Sequence, residues 1–137
     1  MKETLIKKLH EYIRENNPDV FMQLEADGKV TEYLSDRLSK VVVLLNQLNK
    51  GQPGYIVEDG CMDAMTQDLR PSKYNYINKI LEEEFESTYE QLQQSGTIKF
   101  EVINLVHKCH SVFEDLNFLE ENEDNRFTRY AIIGCIG

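Results

Sequence analysis

Glycine and proline are scarce in this chain, 7 and 3 among 137 residues. A β-sandwich needs frequent tight turns, so this little punctuation disfavours one and leaves helices as the natural reading. Cysteine is scarce too, and Cys61, Cys109 and Cys135 are odd in number and widely spaced. No CxxC pair exists, which argues against a disulfide framework or a zinc knuckle. Long apolar runs are missing. The longest interior one, Val41-Val42-Val43-Leu44-Leu45, is far too short to span a bilayer. The opening MKETLIKKLHEYIRENN lacks the unbroken apolar stretch of a signal peptide, because Lys7, Lys8 and His10 interrupt it. These absences predict a cytoplasmic chain in a reducing compartment, without membrane association.

Positive charge also falls short. Lys and Arg number 15 against 24 Asp and Glu, a formal net charge of -9, with a pI near 4.8. Binding to a duplex gains affinity by neutralising phosphates with Lys and Arg, so this balance argues against a nucleic-acid partner. An acidic surface suits solubility, a basic protein partner, or mimicry of a nucleic acid. No GxSxG elbow, Gly-rich phosphate loop or Rossmann fingerprint occurs. No cofactor is expected, and no residue is nominated as catalytic.

What is present is globular composition, 41% hydrophobic and 28% charged. The length suits a single domain over 1–137 with its own core. Leu5, Ile6, Leu9, Tyr12 and Ile13 recur at the spacing of one helical face. Asn16-Asn17-Pro18 ends that helix, and Asn17 with Pro18 can open another, bringing Val20, Phe21 and Leu24 onto the core. After the Asp27-Gly28 turn, a stripe of Tyr33, Leu34, Leu38, Val41, Leu45 and Leu48 predicts a helix over about 30–48. A strand competes only at Val41 to Val43, and Gly51 stands where a C-terminal cap belongs. A shorter helix over about 55–69 should turn Ile56, Met62, Met65 and Leu69 inward. Ser72 is an N-cap for a long helix over about 73–93, and Thr97 a candidate cap for another over about 97–116. An acidic loop, Glu120 to Asn125, leads to a last helix carrying Phe127, Tyr130, Ala131 and Ile133. The ending Gly134-Cys135-Ile136-Gly137 is so apolar that it should dock on the core or pair with another chain, as in a homodimer. The expected fold is all-α: a compact bundle of five or six helices around a central antiparallel helical hairpin. No internal repeat is evident.

One cluster resembles chemistry. His107, His110 and Glu114 are three and four apart, so on a helix they can face one point and hold a metal through two imidazoles and a carboxylate. The spacing lacks the glutamate of HExxH, and the plainer reading is a surface histidine pair. Glu82-Glu83-Glu84 with Glu86 reads as a solvated face rather than a carboxylate dyad. Tyr74 and Tyr76 beside Lys73 and Lys79 form a small aromatic-basic patch of the kind that stacks single strands, set in local acid excess. Met62 and Met65 read as core filler.

Leu69-Arg70-Pro71-Ser72-Lys73-Tyr74-Asn75-Tyr76-Ile77, followed by Ile80-Leu81-Glu82-Glu83-Glu84-Phe85, resembles the GLHFSKYDTL…VLxNEF segment of a Bacteroidetes family of small helical proteins. That family is found on conjugative transposons and has no established activity. The order of the opening helix, the Asn17-Pro18 break and the downstream helices is similar as well. The resemblance implies a helical fold and a mobile-element neighbourhood, and carries over no site residue. The expected function is therefore a non-enzymatic accessory protein binding a protein partner. The alternatives are an acidic inhibitor or immunity-like protein covering a basic nucleic-acid-binding surface, and a metal-dependent enzyme centred on His107 and His110.

Overall fold

In the computed structural model the chain is all-α. Residues 1–48 and 51–137 are described, and among them there are nine α-helices, one turn of 3-10 helix and no strand. The side chains at 47 and 48 lie outside the description. The expected place of Leu48 on its stripe and the helix end before Gly51 therefore fall outside it. The chain divides into two compact units, Met1–Leu69 and Arg70–Gly137.

The first unit holds α1 (Lys2–Asn16), α2 (Pro18–Ala26), α3 (Val30–Leu48) and α4 (Gly54–Met65), then the 3-10 turn Gln67–Leu69. The apolar stripes meet in one core: Leu5, Leu9 and Ile13 from α1, Leu34, Val41 and Leu45 from α3, and Val57, Cys61 and Met65 from α4. Val41 to Val43 are helical, since the core needs only Val41 and leaves Val43 exposed. In α4 the inward row is 57, 61, 65, a clean i, i+4 series. Ile56 was expected to face inward, and it is exposed instead because Val57 takes the buried phase.

The second unit holds α5 (Lys73–Glu84), α6 (Glu86–Ser95), α7 (Ile98–Lys108), α8 (His110–Asp115) and α9 (Arg126–Ile136). The helix count exceeds the expected five or six because both long helices are broken. The first breaks at Phe85, with φ -133° and ψ 49°; the second breaks at Cys109, with φ -92° and ψ 9°. The hairpin persists: α5 and α6 pack on α7. The chain reverses at Gly96, whose left-handed φ of 74° closes α6 as only glycine does without strain. Ile77, Ile80 and Leu81, with Val102, Val106, Cys109, Phe113 and Ile132, form this unit's core. Ser72 Oγ accepts from Asn75 N at 3.0 Å, the expected cap of α5. Asn17 and Thr97 stand at N-cap positions but bond no helix N–H through their side chains.

The two units repeat one plan. A break at 17 or 85 separates the first helix from the second, and a left-handed glycine at 28 or 96 separates the second from the third. All of these are offset by 68 residues. At that offset five buried residues of the first unit fall on buried residues of the second, Leu9 on Ile77, Ile13 on Leu81, Leu34 on Val102, Val41 on Cys109 and Leu45 on Phe113, while Leu5 falls on Lys73 and Ile103 on Ser35. The packing partners correspond as well. In the first unit α1 packs on α2, α3 and α4, and α3 on α2 and α4. In the second α5 packs on α6, α7 and α9, α6 on α7, and α8 on α9. Thus α3 matches α7 with α8, and α4 matches α9. A repeat was not evident in the sequence, because at this offset only scattered positions are identical, such as Gln23-Leu24 with Gln91-Leu92 and Gly28 with Gly96. Burial, not identity, is what is repeated.

Candidate functional site

Helix α9 begins at Arg126 because Asn125 caps it. Asn125 Oδ1 accepts from Phe127 N at 2.8 Å and from Thr128 N at 3.4 Å. Its inner face buries Thr128 and Ile132. Its outer face presents Phe127, 74% exposed, and Tyr130, 60% exposed, with Gly134 one turn further on the same side. Two large aromatics one turn apart on an otherwise docked helix form an apolar surface that the unit's own core does not use.

Beside the inner end of α9 lies a polar cavity of about 300 Å³. Helix α5 contributes Asn75, Tyr76 and Lys79, the loop before α9 contributes Glu123 and Asp124, and α9 contributes Arg129. Arg129 Nη2 donates to Glu83 Oε2 at 2.8 Å and to Glu84 Oε1 at 3.0 Å. These carboxylates, Glu84 foremost, raise the arginine's pKa further above its ordinary value. Lys79 makes no ion pair among the described residues. Tyr76 packs its ring edge-on against Phe113 and Phe118, with centroids 6.1 Å and 4.8 Å away. Its hydroxyl oxygen is buried without a hydrogen-bond partner. Burial pushes the phenol's pKa up; Arg129 opposes that shift while Asp124 and Glu123 add to it.

The loop carrying Glu123 and Asp124 is tied by one side chain. Asn122 Oδ1 accepts from Leu119 N at 2.8 Å, and Asn122 Nδ2 donates to Asn117 O at 2.9 Å and to Leu116 O at 3.4 Å. Arg70 Nη1 lies 3.6 Å from Glu120 Oε1 at its outer side.

The first unit has its own cavity, about 340 Å³, between Arg37 and Lys40 of α3, Ala64 and Met65 at the end of α4, and Gln67 and Asp68 of the 3-10 turn. Arg37 forks onto the Asp68 carboxylate, with Nη2–Oδ2 at 2.7 Å, and donates to Met65 O at 3.1 Å while lying 4.6 Å over the Tyr33 ring.

The residues singled out by sequence are dispersed. His110 Nε2 lies 3.0 Å from Glu114 Oε1, so that pair is brought together on α8. His107 is exposed on α7, beyond the break at Cys109 that shifts the helical phase between the two histidines. Among the described residues no three of His, Cys, Asp or Glu are grouped to hold a metal. The aromatic-basic patch is likewise divided: Lys73 Nζ lies 5.6 Å over the Phe113 ring, and Tyr76 belongs to the core edge. Arg129 escaped the sequence reading because its partners are 45 and 46 residues away and no local pattern announces them. Among the described residues no helix is long and apolar enough to cross a membrane. Compared with family models, with curated proteins and with solved structures, the chain matches none.

Proposed function

We propose that this chain is a non-enzymatic interaction protein that binds a protein partner through the outer face of α9. The observation that carries this reading is the exposure of Phe127 and Tyr130 on a helix whose other side buries Thr128 and Ile132. Aromatic side chains lose little conformational entropy when covered and dominate the energetic centres of protein interfaces. The resemblance of residues 69–85 to a family carried on conjugative transposons supports placing the chain as a mobile-element accessory. Neighbouring genes for conjugation would agree with that placement, and exclusively metabolic neighbours would remove it.

The test uses the full chain as bait in a lysate of its native host. Wild-type protein should recover one specific protein that the Phe127→Ala/Tyr130→Ala double variant loses. Equal recovery by both forms, or no specific recovery together with a clean monomer in light scattering, would overturn the reading. If the partner is instead a second copy of the chain, scattering reports a dimer that the double variant returns to monomer.

A second reading has its own observation. Glu82, Glu86, Tyr89, Glu90 and Gln93 line a groove of about 300 Å³ across the break between α5 and α6. Three carboxylates around one aromatic ring suit a basic protein surface, as an acidic inhibitor of a nucleic-acid-binding protein requires. That reading demands affinity that falls steeply with salt, and salt-independent binding sinks it.

A further inference from the structure

The repeat gives each unit an internal control for what the other has added. In the first unit, five residues separate α3 from α4; in the second, ten separate α8 from α9. The longer connection is what carries Glu123 and Asp124 to the cavity beside α5. At the corresponding place in the first unit, Lys8 on α1 pairs directly with Glu58 on α4 at 2.7 Å. At the 68-residue offset the place of Lys8 is taken by Tyr76. Beyond the longer connection the offset grows to 71, and there Arg129 takes the place of Glu58, each following a buried residue of its helix, Thr128 and Val57. The second unit thus replaces a closed ion pair by an open, polar space.

Three observations describe what that space can hold. Its volume, about 300 Å³, is at the lower end of small-molecule sites. It presents both signs of charge, Lys79 and Arg129 against Glu123 and Asp124. Arg129 spends only Nη2 on Glu83 and Glu84, so the donors on its Nε and Nη1 make no described bond.

A simple anion would meet two carboxylates there, and a simple cation would meet a lysine and an arginine. A ligand with both charges finds a partner for each among the lining side chains. We propose that this cavity binds a small zwitterion of the α-amino-acid class, its carboxylate met by Lys79 and Arg129 and its ammonium by Glu123 and Asp124. The loop is held in advance by Asn122, so Glu123 and Asp124 are in place before the ligand arrives.

The proposal is independent of the α9 partner, because Phe127 and Tyr130 do not line the cavity. The experiment is an amide NMR titration of the intact protein with the common free α-amino acids, with dipeptides, and with acetate and ethylamine as single-charge controls. At least one amino acid at about 10 mM should shift the amides of 116–125 and of α5, the range a millimolar site reports. The controls should not. Lys79→Gln and Asp124→Asn, both on exposed side chains, should each weaken binding about tenfold or more. A dipeptide that binds while free amino acids do not would move the site to peptides and overturn the single-residue reading. So would acetate or ethylamine binding as well as the amino acid, unchanged affinity in both variants, or no shift from any of the panel.

Discussion

Asn17 and Phe85 stand 68 residues apart in the sequence and hold the same backbone bend, φ -133° with ψ 54° in one and 49° in the other. At Asn17 the bend follows from chemistry on both sides: Pro18 keeps the preceding residue out of the α region. The buried carboxamide then donates from Nδ2 to Leu69 O at 3.2 Å, tying the bend to the end of the unit. At Phe85 no proline follows, and the half-buried ring packs on the second core instead. One backbone feature is thus kept by a polar clasp in the first unit and by apolar packing in the second.

Replacing the clasp tests its weight. Asn17→Ala leaves a carbonyl without its donor at a site that is only 6% exposed. Such a loss costs about 1–3 kcal/mol, read as a lower urea midpoint. A change below about 0.5 kcal/mol, the range of ordinary surface substitutions, would mean that Pro18 sets the bend alone.

The Arg37–Asp68 pair predicts an acid-side dependence of stability. Hydrogen bonding to Arg37 holds the Asp68 carboxyl below its ordinary value of 3.8. A carboxyl whose pKa is lower when folded stabilises the fold above the unfolded value, and that contribution disappears as pH falls through the folded one. Asp68 is 60% exposed, so solvent screening keeps the contribution below about 1 kcal/mol. Wild-type protein should therefore be slightly more stable than Asp68→Asn near neutrality, with the gap closing as pH drops below 3.8. A gap that is constant across the acid range would separate the pair from stability.

The legible part of this fold was whatever repeats within a few residues. Leu5-Leu9-Ile13, the Ser72 cap and the reversal near Gly96 declared themselves because each is a local pattern with a local cause. The breaks at Phe85 and Cys109 did not, since neither residue is a glycine or proline and the apolar spacing continues through both. The repeat was hidden for a different reason. Leucine, isoleucine, valine, cysteine and phenylalanine exchange freely at buried positions, so Val41 and Cys109, or Leu45 and Phe113, share burial without sharing identity. At the cavity, the spacing of Tyr76 and Lys79 suggests only a patch for single strands. Their tie to Arg129 and Glu123 is a long-range contact that spacing does not encode.

Asn125 carries the start of α9, and with it the exposed Phe127 and Tyr130. Its side chain satisfies two backbone N–H groups that would otherwise face no acceptor. Asn125→Ala should cost about 0.5–2 kcal/mol. It should also speed amide exchange at 126–128 before exchange elsewhere in the helix changes. Uniform loss of protection across the whole second unit would show instead that the helix does not open on its own at this end.

The three thiols should differ sharply in reactivity, and the difference follows from burial. Cys109 is fully buried, and that burial, reinforced by a hydrogen bond with Cys135, pushes its pKa up to about 12. Burial raises the Cys61 thiol in the same direction. The thiolate is the nucleophile, so both should stay silent toward a thiol reagent at mildly alkaline pH while the fold is intact. Cys135 is only half-buried, its sulfur 4.0 Å from Lys108 O at the edge of α9. Native protein should show one fast-reacting thiol that Cys135→Ser removes, and the full set should appear only in denaturant. Labelling of Cys109 at the rate of Cys135 would mean that α9 lifts from α5 and α8 far more often than its packing implies. The end of the chain would then be a mobile arm rather than the fourth helix of the repeat.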